Sequence, residues 1–140
     1  MEGFRFVHPQ EVTFRDLDVF GHVNNAVYLT YIESARIGYM REVLGIESLD
    51  DLLVIVAKVD IDFRSRATLG EVLEVGARVT RIGTKSFDME HEIQAPDGRL
   101  VAIATTTLVA IDYAADATIP VPSEWRTRIE TYEAKDFAAA

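Results

Sequence analysis

The sequence has no cysteine. Disulfides, thiolate metal ligands and a cysteine nucleophile are thereby excluded, and the chain fits the cytoplasm. Histidine is scarce: only His8, His22 and His91 are present, and their spacing matches no zinc pattern. No metal site is expected. The longest apolar run, Leu52 to Ala57, is far shorter than the roughly 20 residues of a spanning helix, so no membrane insertion is expected. The start, Met1-Glu2-Gly3-Phe4-Arg5, lacks a basic segment followed by an apolar one and does not read as a secretory leader. No Gly-rich phosphate loop is present. Positive charge is also in short supply. Fourteen Lys and Arg face 23 Asp and Glu, a net charge of −9, with a pI near 4.7. Nucleic-acid binders carry a basic stripe instead. A phosphate-bearing substrate would therefore need a local group of Arg or Lys.

What is present suits one domain over residues 1–140: 49% of residues are hydrophobic and 26% charged, enough for a core and a solvated surface. Pro9 to Arg15 alternates, Val12 and Phe14 on one parity, and predicts a first strand. Asp16 to Val23 reads as loop, with Gly21 free to take a conformation closed to other residues. Asn24 or Asn25 is a good helix cap. From Ala26 to Leu44 the residues Val27, Tyr28, Tyr31, Ile32, Ala35, Tyr39 and Val43 recur at helical spacing, with Thr30, Glu33, Arg36, Arg41 and Glu42 mostly opposite. Gly45 follows as a C-terminal stop. Such a helix is about 30 Å long and can cross a whole sheet.

From Leu53 the period becomes two. Ala57, Val59, Ile61 and Phe63 form one face of a strand; Leu73, Val75, Ala77 and Val79 the next; Phe87, Met89, His91 and Ile93 a third. Ala67-Thr68-Leu69-Gly70, Gly83-Thr84 and Asp97-Gly98 separate them. Leu100 to Ile111 is apolar or threonine throughout, as in a central strand covered on both faces. Ser123 is placed to cap a last helix from Glu124 to about Lys135, and the terminal Ala-Ala-Ala is expected to fray. The order implies an α+β domain with an antiparallel sheet and a helix on its inner face. Its free edges make pairing between copies a natural solution.

Chemistry concentrates between the first strand and the long helix. A helix start offers backbone N–H groups that no carbonyl has claimed. A carboxylate beside it can act on a carbonyl whose oxygen those amides polarise. Asp18 is the first choice for that carboxylate, as general base for water or as nucleophile; its bland reading is a turn or capping residue. Asp16 fits an Asx turn or an ion pair with Arg15 or Arg36. His22 suits orienting Asp18, touching the substrate or steadying the glycine turn. His91, facing inward among Phe87, Met89 and Ile93, reads as a buried, hydrogen-bonded histidine, and His8 as exposed. Tyr28, Tyr31, Tyr39 and Met40 read as core, with Tyr28 also placed to line an acyl pocket. Glu33 is a secondary acid candidate whose plain reading is an ion pair with Arg36 or Arg41. Arg64 and Arg66 are candidates for phosphate contact, with Lys58, Arg81 or Lys85 assisting.

The series Asp16-x-Asp18-x-x-Gly21-His22-Val23-Asn24-Asn25-x-x-Tyr28-x-x-Tyr31-x-Glu33-x-Ala35-Arg36 resembles the hotdog-fold thioesterases of the 4-hydroxybenzoyl-CoA thioesterase type. The likeness runs from about Pro9 to Asp112, through Arg64-Ser65-Arg66-Ala67 and Lys85-Ser86. The resemblance implies a five-stranded antiparallel sheet wrapped around the long helix, followed here by the short C-terminal helix. It implies a homodimer joined sheet edge to sheet edge, with sites at the interface; homotetramers are common in the family. It further implies hydrolysis of an acyl-CoA thioester without metal or bound cofactor, Asp18 as the catalytic carboxylate and the Asn25 backbone N–H as oxyanion donor. A non-catalytic acyl-CoA-binding protein of the same fold is the rival reading. A hotdog hydratase or dehydratase is a further one, although a His with an acid partner on the helix is not evident.

Overall fold

The computed structural model describes residues 1–137; the fraying expected of the last three alanines lies outside them. Strand β1 spans Phe6–Glu11, helix α1 Val27–Leu44, and strands β2 to β5 Val54–Phe63, Val72–Ile82, Ser86–Gln94 and Leu100–Asp112. A two-residue strand, β6, Ala117–Thr118, and helix α2, Ser123–Glu133, complete the order. The main sheet is antiparallel in the order β1-β3-β4-β5-β2, with β6 added on β5. This curled antiparallel sheet with its long helix is the hotdog fold expected above. Among the described residues no helix is long and apolar enough to cross a membrane.

Local chemistry explains most boundaries. The cap position of α1 is Ala26, not Asn24 or Asn25, and no side chain caps the helix; the Asn24 side chain instead accepts the Ala26 N–H at 2.9 Å in an Asx turn, and its carbonyl accepts the Val27 N–H, which leads the chain into α1. Gly45, at φ +69°, ends it with its N–H on the Met40 carbonyl, a left-handed stop that glycine adopts without cost. In the β4–β5 turn Gly98 takes φ +88°. The inward parity of β3 and β4 is as expected: Leu73, Val75, Ala77, Val79, Phe87, Met89, His91 and Ile93 are all buried.

Four further expectations are corrected. The first strand lies earlier: it pairs Phe6 to Glu11 with Ala77 to Val72. Beyond it Val12 is buried, but Phe14 begins a 3₁₀ turn and is exposed, because no strand lies opposite to continue the ladder. His8 is half-buried within β1, not exposed. On β5 the inner face is covered throughout, with Ala102, Ala104, Thr106, Leu108 and Ala110 buried, whereas the opposite face is covered only at its ends, by Val101 and Ile111, and opens at Thr105. Ser123 is the first residue of α2, with Pro122 at the cap position.

α1 sits off-centre. It packs chiefly on β3, β1 and α2. Gly38 makes this approach possible, since a Cβ there would lie 2.8 Å from the Phe6 ring. Phe6 meets Tyr39 edge to face with centroids 5.8 Å apart. The Tyr39 hydroxyl donates to Glu133 at 2.7 Å, and the Val79 N–H donates to the same carboxylate oxygen at 3.1 Å. One acid thus ties α1, α2 and β3 together, and burial of Tyr39, reinforced by Glu133, raises its pKa. The offset leaves the inner face of β2 uncovered: Val56, Val59 and Phe63, buried-parity residues by their pairing with Leu108, Thr106 and Ala102, remain about 40% exposed.

Candidate active site

The loop between β1 and α1 is pinned at both ends before any chemistry is considered. Asp16 accepts hydrogen bonds from the Thr13 N–H at 3.0 Å, the Thr13 hydroxyl at 3.1 Å and the Tyr31 hydroxyl at 2.7 Å. Burial opposes its ionisation, but these donors, with the Arg15 charge, outweigh burial and hold the carboxyl below the ordinary aspartate range. Its partners are thus Thr13 and Tyr31, and the ion pair with Arg15 or Arg36 considered above does not form. The Val23 N–H donates to the Ala67 carbonyl, and His22 bridges to Thr68. The loop is thereby fixed to the segment that follows β2.

Between these pins the chain makes a tight reversal. The Asp18 N–H donates to the His22 carbonyl at 2.9 Å and the Gly21 N–H to the Asp18 carbonyl at 3.1 Å. Gly21 takes φ +85°, the conformation for which glycine was expected. Oδ1 of Asp18 accepts the Phe20 N–H at 2.8 Å, so this aspartate does make the turn contact of its bland reading. Oδ2 lies 3.5 Å from Nδ1 of His22, and both side chains are about a quarter exposed, at 26% and 24%. The Phe20 ring stacks on His22 with centroids 6.1 Å apart.

His22, Val23, Asn25, Tyr28, Phe63, Arg64, Ser65 and Arg66 line a cleft of about 270 Å³. Five of the residues singled out from sequence therefore meet in one place: His22, Asn25, Tyr28, Arg64 and Arg66. Asp18 is not itself in the wall; it stands behind His22. Among the described residues the Asn25 N–H donates to no acceptor, and it lies at the α1 start, where the helix dipole adds positive potential. Tyr28 is buried under the cleft, its oxygen accepting the Ala67 N–H at 3.3 Å and its ring 5.7 Å from that of Phe63. Burial raises its phenol pKa.

Arg64 reaches Asp62 at 3.4 Å and remains half exposed. The Arg66 carbonyl accepts from Arg99 at 2.6 Å, which anchors the backbone under both arginines. The assisting cations are elsewhere. Lys58 and Asp88, the partner of Arg81 at 2.7 Å, both pair with Thr107 of β5, five residues and about 17 Å along the strand from Ala102 beneath Phe63. Lys85 donates to Thr118. Glu33 lies 3.9 Å from Arg36 and does not line the cleft. Phe63 and Ser65 were not anticipated as cleft residues. The period-two pattern offered a signal for Phe63, the inward residue that ends β2.

His91 is buried as expected, but only half satisfied. Nε2 lies 3.3 Å from the Thr106 hydroxyl, whereas Nδ1 makes no hydrogen bond among the described residues. Arg36 is also buried, contrary to its assignment to the solvent face; the helix offset turns it over the bare half of the sheet.

The Thioesterase-like superfamily model matches residues 12–129. The long-chain acyl-CoA thioesterase FadM of Escherichia coli is 30% identical over 123 residues, 81% of this chain and 89% of that protein. A thioesterase of Thermus thermophilus, solved in complex with coenzyme A and zinc, shares 36% identity and superposes with a TM-score of 0.89 over 97% of this chain and 99% of that one. YbaW, a probable thioesterase of Escherichia coli, gives a TM-score of 0.74 at 27% identity, over 91% of this chain and 98% of that one.

Proposed function

The chain belongs to the thioesterase-like superfamily, and from that premise we propose that it hydrolyses an acyl-CoA thioester, with Asp18 as the working carboxylate and the Asn25 N–H as oxyanion donor. The observation that carries this reading is the unclaimed Asn25 amide in the same cleft as His22, whose ring faces Oδ2 of Asp18. With its carbonyl oxygen on that amide, the thioester carbon is open to attack. In the general-base form, Oδ2 takes a proton from water as the new C–O bond forms. The tetrahedral oxyanion rests on the amide, a contact typically worth about 3 kcal/mol. Its collapse breaks the C–S bond and releases CoA thiolate. In the nucleophilic form, Oδ2 attacks the carbon and water then opens a mixed anhydride. His22 positions the carboxylate in either form, and its contact with the unused oxygen leaves the Asx turn intact.

Arg64 and Arg66 at the rim supply the local positive charge that a −9 chain needs to hold CoA phosphates. Thiol release from aromatic, short and long acyl-CoAs, set against the same acyl groups on a truncated thiol without phosphates, tests both statements. Turnover with a lower KM for the CoA forms is expected. Equal KM values would remove the arginines, and no thiol release from any acyl-CoA would remove the hydrolase. The turn bond of Asp18 favours the rival, a non-catalytic acyl-CoA binder; acyl-CoA binding without thiol release would establish it.

The uncovered β2 edge supports a homodimer in which two β2 strands pair. The expected particle mass in solution by light scattering is twice the 15.7 kDa of the chain, and a tetramer of such pairs gives four times that value. A monomer mass would refute edge pairing.

A further inference from the structure

The stretch from Asp16 to Asn24 is a small hairpin. Leu17 faces Val23 across an antiparallel bridge. On one side of that bridge the Asn24 N–H donates to the Asp16 carbonyl at 3.0 Å; on the other the Asp18 N–H donates to the His22 carbonyl at 2.9 Å. Asp18 therefore stands two residues up one arm. Asn25, whose amide has no acceptor among the described residues, follows directly on the foot of the other. The arm that carries His22 is held to the segment after β2 by the Val23 N–H on the Ala67 carbonyl. The arm that carries Asp18 is held to α1 by the Asp16 carboxylate, whose Oδ2 accepts the Tyr31 hydroxyl at 2.7 Å.

Tyr31 lies four residues beyond Val27, about 6 Å along α1. Helical side chains lean toward the N-terminus, so its hydroxyl reaches back to the foot of the hairpin. Tyr31 is buried, and its ring meets that of Tyr28 under the cleft edge to face, with centroids 6.0 Å apart. That packing needs an aromatic ring and no hydroxyl. The hydroxyl makes a short, charge-assisted bond instead. Thr13 grips the same Oδ2 with its N–H at 3.0 Å and its hydroxyl at 3.1 Å. Three donors on one oxygen fix the hairpin foot against the helix. We propose that Tyr31 is a positioning residue: through Asp16, its hydroxyl sets the distance between the Asp18 carboxylate and the Asn25 amide. Both groups must meet one thioester carbonyl at once, and a misplacement of about 1 Å can cost about 10²-fold in rate. This consequence for rate rests on the proposed hydrolase function; the consequence for geometry does not.

Steady-state thiol release and backbone-amide NMR of the purified full chain test the two consequences separately. Tyr31→Phe keeps the ring and is expected to lower kcat by about ten- to a hundredfold, with KM within about twofold of the parent. Tyr39→Phe is the control for stability alone. It removes an equally short hydroxyl–carboxylate bond from the same helix, to Glu133 at 2.7 Å, and should lower Tm while kcat stays at the parent value. Asp16→Ala should lose as much rate as Tyr31→Phe, and the double variant no more than either. Asp16→Asn should restore most of that rate, because an amide oxygen can take the place of the one oxygen that all three donors share. In NMR spectra Tyr31→Phe should shift the Phe20 and Asn25 amide signals, the first of which reports on Asp18; Tyr39→Phe should leave both in place. Parent-like kcat in Tyr31→Phe, an equal fall in Tyr39→Phe or no restoration by Asp16→Asn would each overturn the proposal. A parent without thiol release would refute the hydrolase instead, and the amide signals then decide: unshifted Phe20 and Asn25 in Tyr31→Phe would overturn the positioning role as well.

Discussion

Asp18→Asn is expected to lower kcat on the best acyl-CoA by about 10²- to 10⁴-fold, the usual reach of a positioned acid or base. Asparagine is the informative replacement. The Phe20 N–H donates to Oδ1 of Asp18 at 2.8 Å, and an amide oxygen accepts that bond as a carboxylate oxygen does. The turn therefore survives, together with the reversal held by the Asp18–His22 and Gly21–Asp18 backbone bonds. What is lost is the negative Oδ2 facing His22. KM should change little, and circular dichroism should be unchanged. Asp18→Ala removes the turn contact as well, so it should add a loss of stability to the same loss of turnover. Retained turnover in Asp18→Asn would assign Asp18 to the turn alone and take it out of the chemistry.

Acidification should destabilise the protein through His91 well before most carboxylates titrate. Burial, with a smaller contribution from the Arg36 charge, pushes the pKa of this histidine down to about 3, from an ordinary 6.5. Between those values the unfolded chain takes up a proton that the folded protein refuses. The contribution to stability is therefore complete above pH 6.5 and is lost progressively as pH falls toward 3, at up to about 1.4 kcal/mol per pH unit. Urea unfolding at fixed protein concentration between about pH 4.5 and 7 measures this slope. His91→Met should flatten it, because a thioether fills the site without titrating. Below about pH 4 the parent has a second source of acid sensitivity: hydrogen bonding to Arg81 holds the Asp88 carboxyl below its usual range despite burial. An equal slope in His91→Met and parent would show that His91 is not the group responsible.

The order of elements and the position of the cleft were legible because their signals are local. An Asx turn ahead of a helix needs a side chain two residues from an amide, as Asn24 is from Ala26. A glycine at φ +85° is needed where the chain turns back on Asp18. Inward parity on β3 and β4 follows from alternation alone. The same short range limits what can be read. Phe14 continues the alternation of Val12 but finds no strand opposite, since the β1–β3 ladder ends where Glu11 meets Val72, a residue far along the chain.

Residue order and spacing were enough to establish a strand, a long helix and four strands in succession, a glycine-turned loop carrying Asp18 and His22, and an amide-rich helix start after it. The direction in which the helix leans was settled by packing. Gly38 admits the Phe6 ring and Glu133 ties Tyr39 to β3, so α1 settles over β1 and β3. That lean turns Arg36 inward and leaves the inner face of β2 bare. Periodicity records which side of an element is apolar. It carries no term for how closely two elements approach, and that distance depends on contacts between residues far apart in the chain.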